Sequence, residues 1–233
     1  MIGIICAMEE EIAGIKSEFD SLDEKPVSGN VILDRLKKGK FCGKKCVLGL
    51  SGVGKVYAAI CTQTMILKYH PRYIINVGMA GGIGEEINIY DLVIAKNVVQ
   101  YDYDISTFGD KKIGQISGFD NREIPCSNSI IKIAEKVSKS LNIKSHVGNV
   151  LTGDSFLSDS IKAKELKNEF NGVACEMECA SIGQVCQINK VEFGALKVIS
   201  DKADTKSVVD FQKFHVEYPQ IINKLVAKII SEL

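Results

Sequence analysis

The 233-residue chain has no surplus of either charge, since Lys plus Arg and Asp plus Glu each total 29. Neither sign forms a long block, which argues against a nucleic-acid or anionic-membrane partner and favours a small molecule. No apolar run approaches the roughly 20 residues that cross a bilayer. Histidine is scarce, and His70, His146 and His215 stand apart from one another. The eight cysteines (Cys6, Cys42, Cys46, Cys61, Cys126, Cys175, Cys179, Cys186) include no C-x-x-C pair. Cys42 with Cys46, or Cys175 with Cys179, makes at most half of a metal site, and the histidines supply no second half. Buried thiols in a reducing cytoplasm, with no metal bound, are therefore expected. Met1 to Met8 is apolar but has no basic leader and runs into Glu9, Glu10 and Glu11, so it reads as a first strand rather than a targeting segment.

With 45% hydrophobic and 25% charged residues, the chain fits a single domain over 1–233 with a full-sized core. Short apolar runs alternate with amphipathic ones. The pattern predicts strands over Met1–Ile5, Val31–Leu36, Lys45–Leu50, Tyr73–Val77, Leu92–Val99, His146–Thr152, Val173–Glu176 and Glu192–Ser200. It predicts helices over Glu9–Phe19, Lys55–Tyr69, Ser129–Leu141, Ser160–Phe170, Cys179–Ile188 and Val208–Leu233, with Pro71 closing the second and Pro219 kinking or splitting the last. Such alternation implies an α/β fold, a parallel or mixed sheet covered on both faces. The least regular stretch, Tyr101–Ser127, is the candidate for a loop that lines a site or reaches a neighbouring subunit.

In such sheets ligands bind beyond the carboxyl ends of the strands. After the first strand, Glu9, Glu10 and Glu11 open a helix; taken alone, such a cluster is more often capping than catalysis, but it makes a poor phosphate site. Gly49 to Lys55 nearly spells a phosphate-binding loop, yet Val56 stands where Ser or Thr must ligate magnesium. Gly78-Met79-Ala80-Gly81-Gly82 reads as a second glycine turn on a pocket rim. Thr152-Gly153-Asp154-Ser155-Phe156 sets an aromatic beside a polar loop. Glu176-Met177-Glu178-Cys179 and Ser200-Asp201-Lys202-Ala203-Asp204 place carboxylates where buried strands stop, with capping and catalysis as even alternatives.

Together these segments, in order along the whole chain, resemble the 5'-methylthioadenosine/S-adenosylhomocysteine nucleosidases of the nucleoside phosphorylase superfamily. The carrying motifs are Ile4 to Glu11, Ser51 to Val56, Ile75 to Gly82, Thr152 to Phe156, Glu176 to Glu178 and Ser200 to Asp204. The resemblance implies a nucleoside phosphorylase-like fold with a central mixed β-sheet flanked by helices, a homodimer, and no metal or organic cofactor. It implies that Asp201, oriented by Ser200, protonates the purine, that Glu11 activates water, and that Glu178 binds the ribose hydroxyls. Met177 would lie against the sugar, Phe156 would stack on the base, and Leu157 would offer backbone hydrogen bonds. Met8, Val53 and Phe211 would form apolar wall, while Ile105 and Phe108 match positions lent across a dimer interface. Two departures stand near the expected water and ribose site: Met79 where a small hydroxyl residue is usual, and Lys197 where an arginine is usual. Between Asp110 and Ser117 the chain also differs, with Ser117 about where a proline is usual.

The implied reaction is hydrolytic release of adenine from 5'-methylthioadenosine, S-adenosylhomocysteine or 5'-deoxyadenosine. Rival readings are a futalosine-type purine nucleosidase, a phosphorylase, and a non-catalytic nucleoside-binding protein. Three carboxylates in the first turn oppose the phosphorylase, and the joint presence of Glu11, Glu178 and Asp201 opposes a mere binder.

Overall fold

A computed structural model describes residues 1–23, 34–109 and 111–233. Its elements run β1 (Ile2–Cys6), α1 (Glu9–Lys16), β2 (Phe19–Leu22), β3 (Leu36–Phe41), β4 (Lys44–Leu50), α2 (Lys55–Tyr69), β5 (Tyr73–Gly82) and β6 (Leu92–Gln100). A short 3-10 turn at Ser106–Phe108 comes next, then β7 (Ile124–Pro125), α3 (Asn128–Ser140), β8 (Ser145–Thr152), α4 (Ser160–Phe170), β9 (Gly172–Glu176), α5 (Cys179–Ile188), β10 (Glu192–Asp201) and α6 (Ser207–Glu232).

The sheet is mixed, as expected. Strand β5 pairs in parallel with β1 and β10 and antiparallel with β9. Strands β6, β8 and β9 pair in parallel, and β6 pairs antiparallel with β10. The pairings β5–β10–β6–β8–β9–β5 therefore close on themselves, while β1, β4, β3 and β2 extend the sheet outward. Closure removes edges from the strands that carry the site. Strands β1, β5 and β10 are buried almost throughout, because helices cover both faces.

Several boundaries differ from the sequence reading. The first helix stops at Lys16, and Phe19 lies in β2, where its ring meets Phe41 at 4.9 Å. The strand expected over Val31–Leu36 begins at Leu36, and positions 31–33 lie outside the described residues. Strands β3 and β4 form a hairpin whose two turn residues, Cys42 and Gly43, both have positive φ (50° and 72°), the signature of a tight two-residue turn. Strand β5 continues through Gly82, so the second glycine "turn" is extended strand. The last helix is unbroken from Ser207 to Glu232; Pro219 does not split it. Seven cysteines are buried and Cys42 is exposed. No helix among the described residues is long and apolar enough to cross a membrane.

Candidate active site

A cavity of about 320 Å³ lies where β1, β8, β9 and β10 end and β5 passes, the size of a small-molecule site. Its wall holds Met8, Glu11, Val53, Met79, Phe156, Leu157, Met177, Glu178, Ser200, Asp201 and Phe211. Three predicted residues are not on it. Lys197 lies behind the wall, while Ile105 and Phe108 sit in and beside the 3-10 turn, with Phe108 88% exposed.

Glu11 is 2% exposed. Its Oε2 accepts from the amides of Ala7 (2.8 Å) and Met8 (3.1 Å), and its Oε1 from the amide of Met79 (2.8 Å). Capping and a cavity-facing carboxylate are therefore the same feature. Burial raises the Glu11 pKa, partly offset by the Lys197 ammonium and the three amides. Gly78 makes this approach possible, since a Cβ there would stand 2.5 Å from Glu11 Oε1 and 3.0 Å from Lys197 Nζ.

Asp201 is 1% exposed. Its Oδ2 accepts from the Ser200 hydroxyl (2.8 Å) and its Oδ1 from the Ala203 amide (2.8 Å). A register irregularity between Ile199 and Asp201 sets Asp201 opposite Gly81, and bulges of this kind re-aim side chains next to sites. Gly81 matters for the same steric reason as Gly78: an added Cβ would stand 3.0 Å from Asp201 Oδ1.

Glu178 precedes α5 and accepts from the Gly54 amide (2.8 Å). Burial, followed by the negative charge of Glu176, pushes its pKa up to about 8. Phe156 is 44% exposed and meets Phe211 edge-on at 5.8 Å, so two aromatics flank the mouth. The glycine turn before α2 is closed to anions, because its Gly54 and Lys55 amides already serve Glu178 and Asp154 (2.8 and 2.9 Å).

Sequence reasoning marks Glu176 as a strand-end carboxylate but assigns it no role in the site. It is buried, contributes to the wall, and pairs with Lys197 at 3.0 Å. The signal for it is a lone lysine inside an apolar strand, which demands a buried counter-charge. Among the described residues on the cavity wall, every charged type is an acid: Glu11, Glu176, Glu178 and Asp201. No described group of His, Cys, Asp and Glu has the arrangement of a metal site.

Fold and site define an α/β enzyme with a nucleoside-sized, acid-lined cavity. The phosphorylase superfamily model matches residues 1–231, and the chain belongs to that family. A Shewanella sediminis protein named 5'-methylthioadenosine/S-adenosylhomocysteine nucleosidase is 37% identical over 234 residues, covering 100% of this chain and 99% of its own. The Neisseria meningitidis nucleosidase of that name, solved with methylthio-immucillin-A, has a TM-score of 0.91 at 30% identity and covers 100% of this chain and 99% of its own. The futalosine hydrolase of Helicobacter pylori has a TM-score of 0.91 at 33% identity, with coverages of 100% and 97%.

Proposed function

We propose that the chain hydrolyses the N-glycosidic bond of 5'-methylthioadenosine and S-adenosylhomocysteine, releasing adenine. The observation that carries this reading is the convergence of Glu11, Glu178 and Asp201 on one cavity whose described wall contains no cation.

Asp201 in its protonated form donates to N7 of the purine, with Ser200 holding its carboxyl, so the base leaves as a neutral molecule. The C1'–N9 bond breaks with both electrons going to the base, and the sugar takes on oxocarbenium character. Glu178 accepts from the ribose hydroxyls, and the surrounding negative charge favours the cationic sugar. Water adds to C1' and gives its proton to Glu11. Phe156 stacks on the base beside the Leu157 backbone, Met177 lies under the sugar, and Met8, Val53, Met79 and Phe211 line the apolar remainder. Protein groups and water suffice for every step.

Phosphorolysis fits poorly. An incoming phosphate would meet the four acids of the wall, and the glycine-turn amides that could hold it are occupied. The likeness to futalosine hydrolase favours a second reading, the same hydrolysis on a purine nucleoside with a different 5' group. Incubating the protein with 5'-methylthioadenosine or futalosine, with and without phosphate, separates these readings. Free adenine from the thio-nucleoside without phosphate is expected; strict phosphate dependence or a sugar 1-phosphate product would sink the proposal.

A homodimer in the cytoplasm completes the reading. Its support is an apolar stripe on α2 beside the cavity mouth, with Val56 69%, Tyr57 51% and Ile60 45% exposed, together with Phe108. Ile105 and Phe108 would then face the partner's site. A monomeric mass by sedimentation at assay concentration would remove this part.

A further inference from the structure

Lys197 is 1% exposed within β10, and a buried ammonium is stable only beside a counter-charge. Glu176 supplies that charge at 3.0 Å. The same carboxylate accepts from the amide of Glu178 (3.0 Å), the amide of Cys179 (2.9 Å) and the hydroxyl of Thr152 (2.5 Å). It therefore ties β8, α5 and β10 together at the last residue of β9. In the β5–β10 ladder Gly78 stands directly opposite Lys197, and the space left by its missing side chain holds both the ammonium and Glu11 Oε1. Three buried carboxyl groups, Glu11, Glu176 and Glu178, thus surround one ammonium, and one positive charge cannot hold all three ionised out of water.

We propose that Glu176 is a positioning residue for hydrolysis: by engaging Lys197 and the Glu178 amide, it decides which carboxyl groups of the cavity carry protons when substrate arrives. The inference rests on the hydrolase reading above. Burial alone would raise Glu176, but Lys197 and the Thr152 hydroxyl outweigh it and hold the group below its ordinary range. Glu178, whose amide Glu176 accepts, is the carboxyl pushed upward. Asp201 is the remaining carboxyl on the same wall, and the thiols and the phenol around the cluster stay neutral near neutral pH. Burial raises the thiols of Cys6 beside Glu11 and of Cys179 and Cys175 beside Glu176, and it lifts the Tyr101 phenol near Glu176 to about 12.

The test is a pair of variants with opposite electrostatic signs. Glu176→Gln keeps the size but frees Lys197 to act on Glu11 and Glu178, and it removes the negative charge beside Glu178. Both carboxyl groups then lose their protons more easily, so the acidic limb of kcat/KM moves to lower pH by at least about half a unit. Lys197→Met removes the cation and moves that limb to higher pH. If Lys197→Met does not fold, Glu176→Gln/Lys197→Met replaces it, since it leaves no unpaired buried ion; its limb should lie above that of Glu176→Gln. A merely structural pair would lower the melting temperature of both variants and leave the limb in place. Titration of ¹³C-labelled Glu carboxyls in the same proteins reads these shifts without turnover. A parent without turnover overturns the hydrolase reading alone, whereas carboxyl titrations that stay put or move the same way in both variants overturn the positioning role.

Discussion

Helices α1 and α2 start beyond the ends of β1 and β4, two strands paired in parallel, yet their free backbone donors are satisfied in opposite ways. Before α1 the acceptor is local: Glu11, in the helix's own first turn, takes the amides of Ala7 and Met8. Before α2 the turn is Gly52-Val53-Gly54 and has no acceptor of its own. The Gly54 and Lys55 amides are taken by Glu178 and Asp154, which lie 124 and 99 residues away from the donors they serve. A local cap leaves its carboxylate free to serve a cavity as well. Borrowed caps fasten distant turns to one another, and so set where Phe156 and Glu178 stand. In both cases a carboxylate fills the position at which an α/β protein would otherwise hold an anion, and this is the structural reason that water fits the site better than phosphate.

Removing the local carboxylate should produce the largest effect. Glu11→Gln retains one carbonyl acceptor but turns its NH2 toward backbone donors, at either the Met79 or the Ala7 and Met8 amides. It also cannot take a proton from water. A kcat loss of about 10²–10⁴-fold is expected, the range for a lost general base, with a stability loss of about 1 kcal/mol from the impaired cap. Steady-state kinetics and thermal melts measure the two. Full turnover in this variant would separate capping from catalysis at α1, and the water would need another base.

The same contrast explains what can be read from the amino-acid order. Local features are legible: the alternating strands, the acidic opening of α1, and the carboxylates closing β9 and β10. Glu11 carries two of its partners within four residues, so its capping role is visible in the sequence, although not the third amide, from Met79. The Gly54–Glu178 and Lys55–Asp154 bonds have no local signature, because they exist only once the folded sheet, in which β5 and β1 separate β4 from β9, brings the ends of β4, β8 and β9 to the same cavity. Lys197 shows a different limit. Both faces of β10 are buried, so alternation cannot say which way its side chain points. Register can, since it sets Lys197 opposite Gly78, behind the cavity wall and against Glu176. Strand β3 escapes the sequence reading because only its ends, Leu36 and Phe41, are buried, while Lys37, Lys38, Gly39 and Lys40 between them are partly or fully exposed, so no apolar alternation marks the strand. The clearest clue to that hairpin is Cys42-Gly43, a turn pair that apolar periodicity passes over.

A smaller effect is expected at the borrowed cap, and it should depend on pH. Glu178→Gln preserves an oxygen for the Gly54 amide but loses the ionisable group. In the native chain the Glu178 pKa is raised from 4.5 to about 8, so the folded state holds this proton more tightly than the unfolded chain does. The stability associated with that proton is fully present below pH 4.5 and is lost progressively as pH rises toward 8. The glutamine variant has no such loss. Its melting temperature should match or fall slightly below the parent's at about pH 5, then exceed it at about pH 8 by an amount on the order of 1 kcal/mol, or about 2–4 °C for a chain of this length. A difference that stays constant between those two pH values would mean that Glu178 ionises with ordinary ease despite its burial. The borrowed cap would then be electrostatically equivalent to the local one, and the contrast between the two helix starts would reduce to geometry.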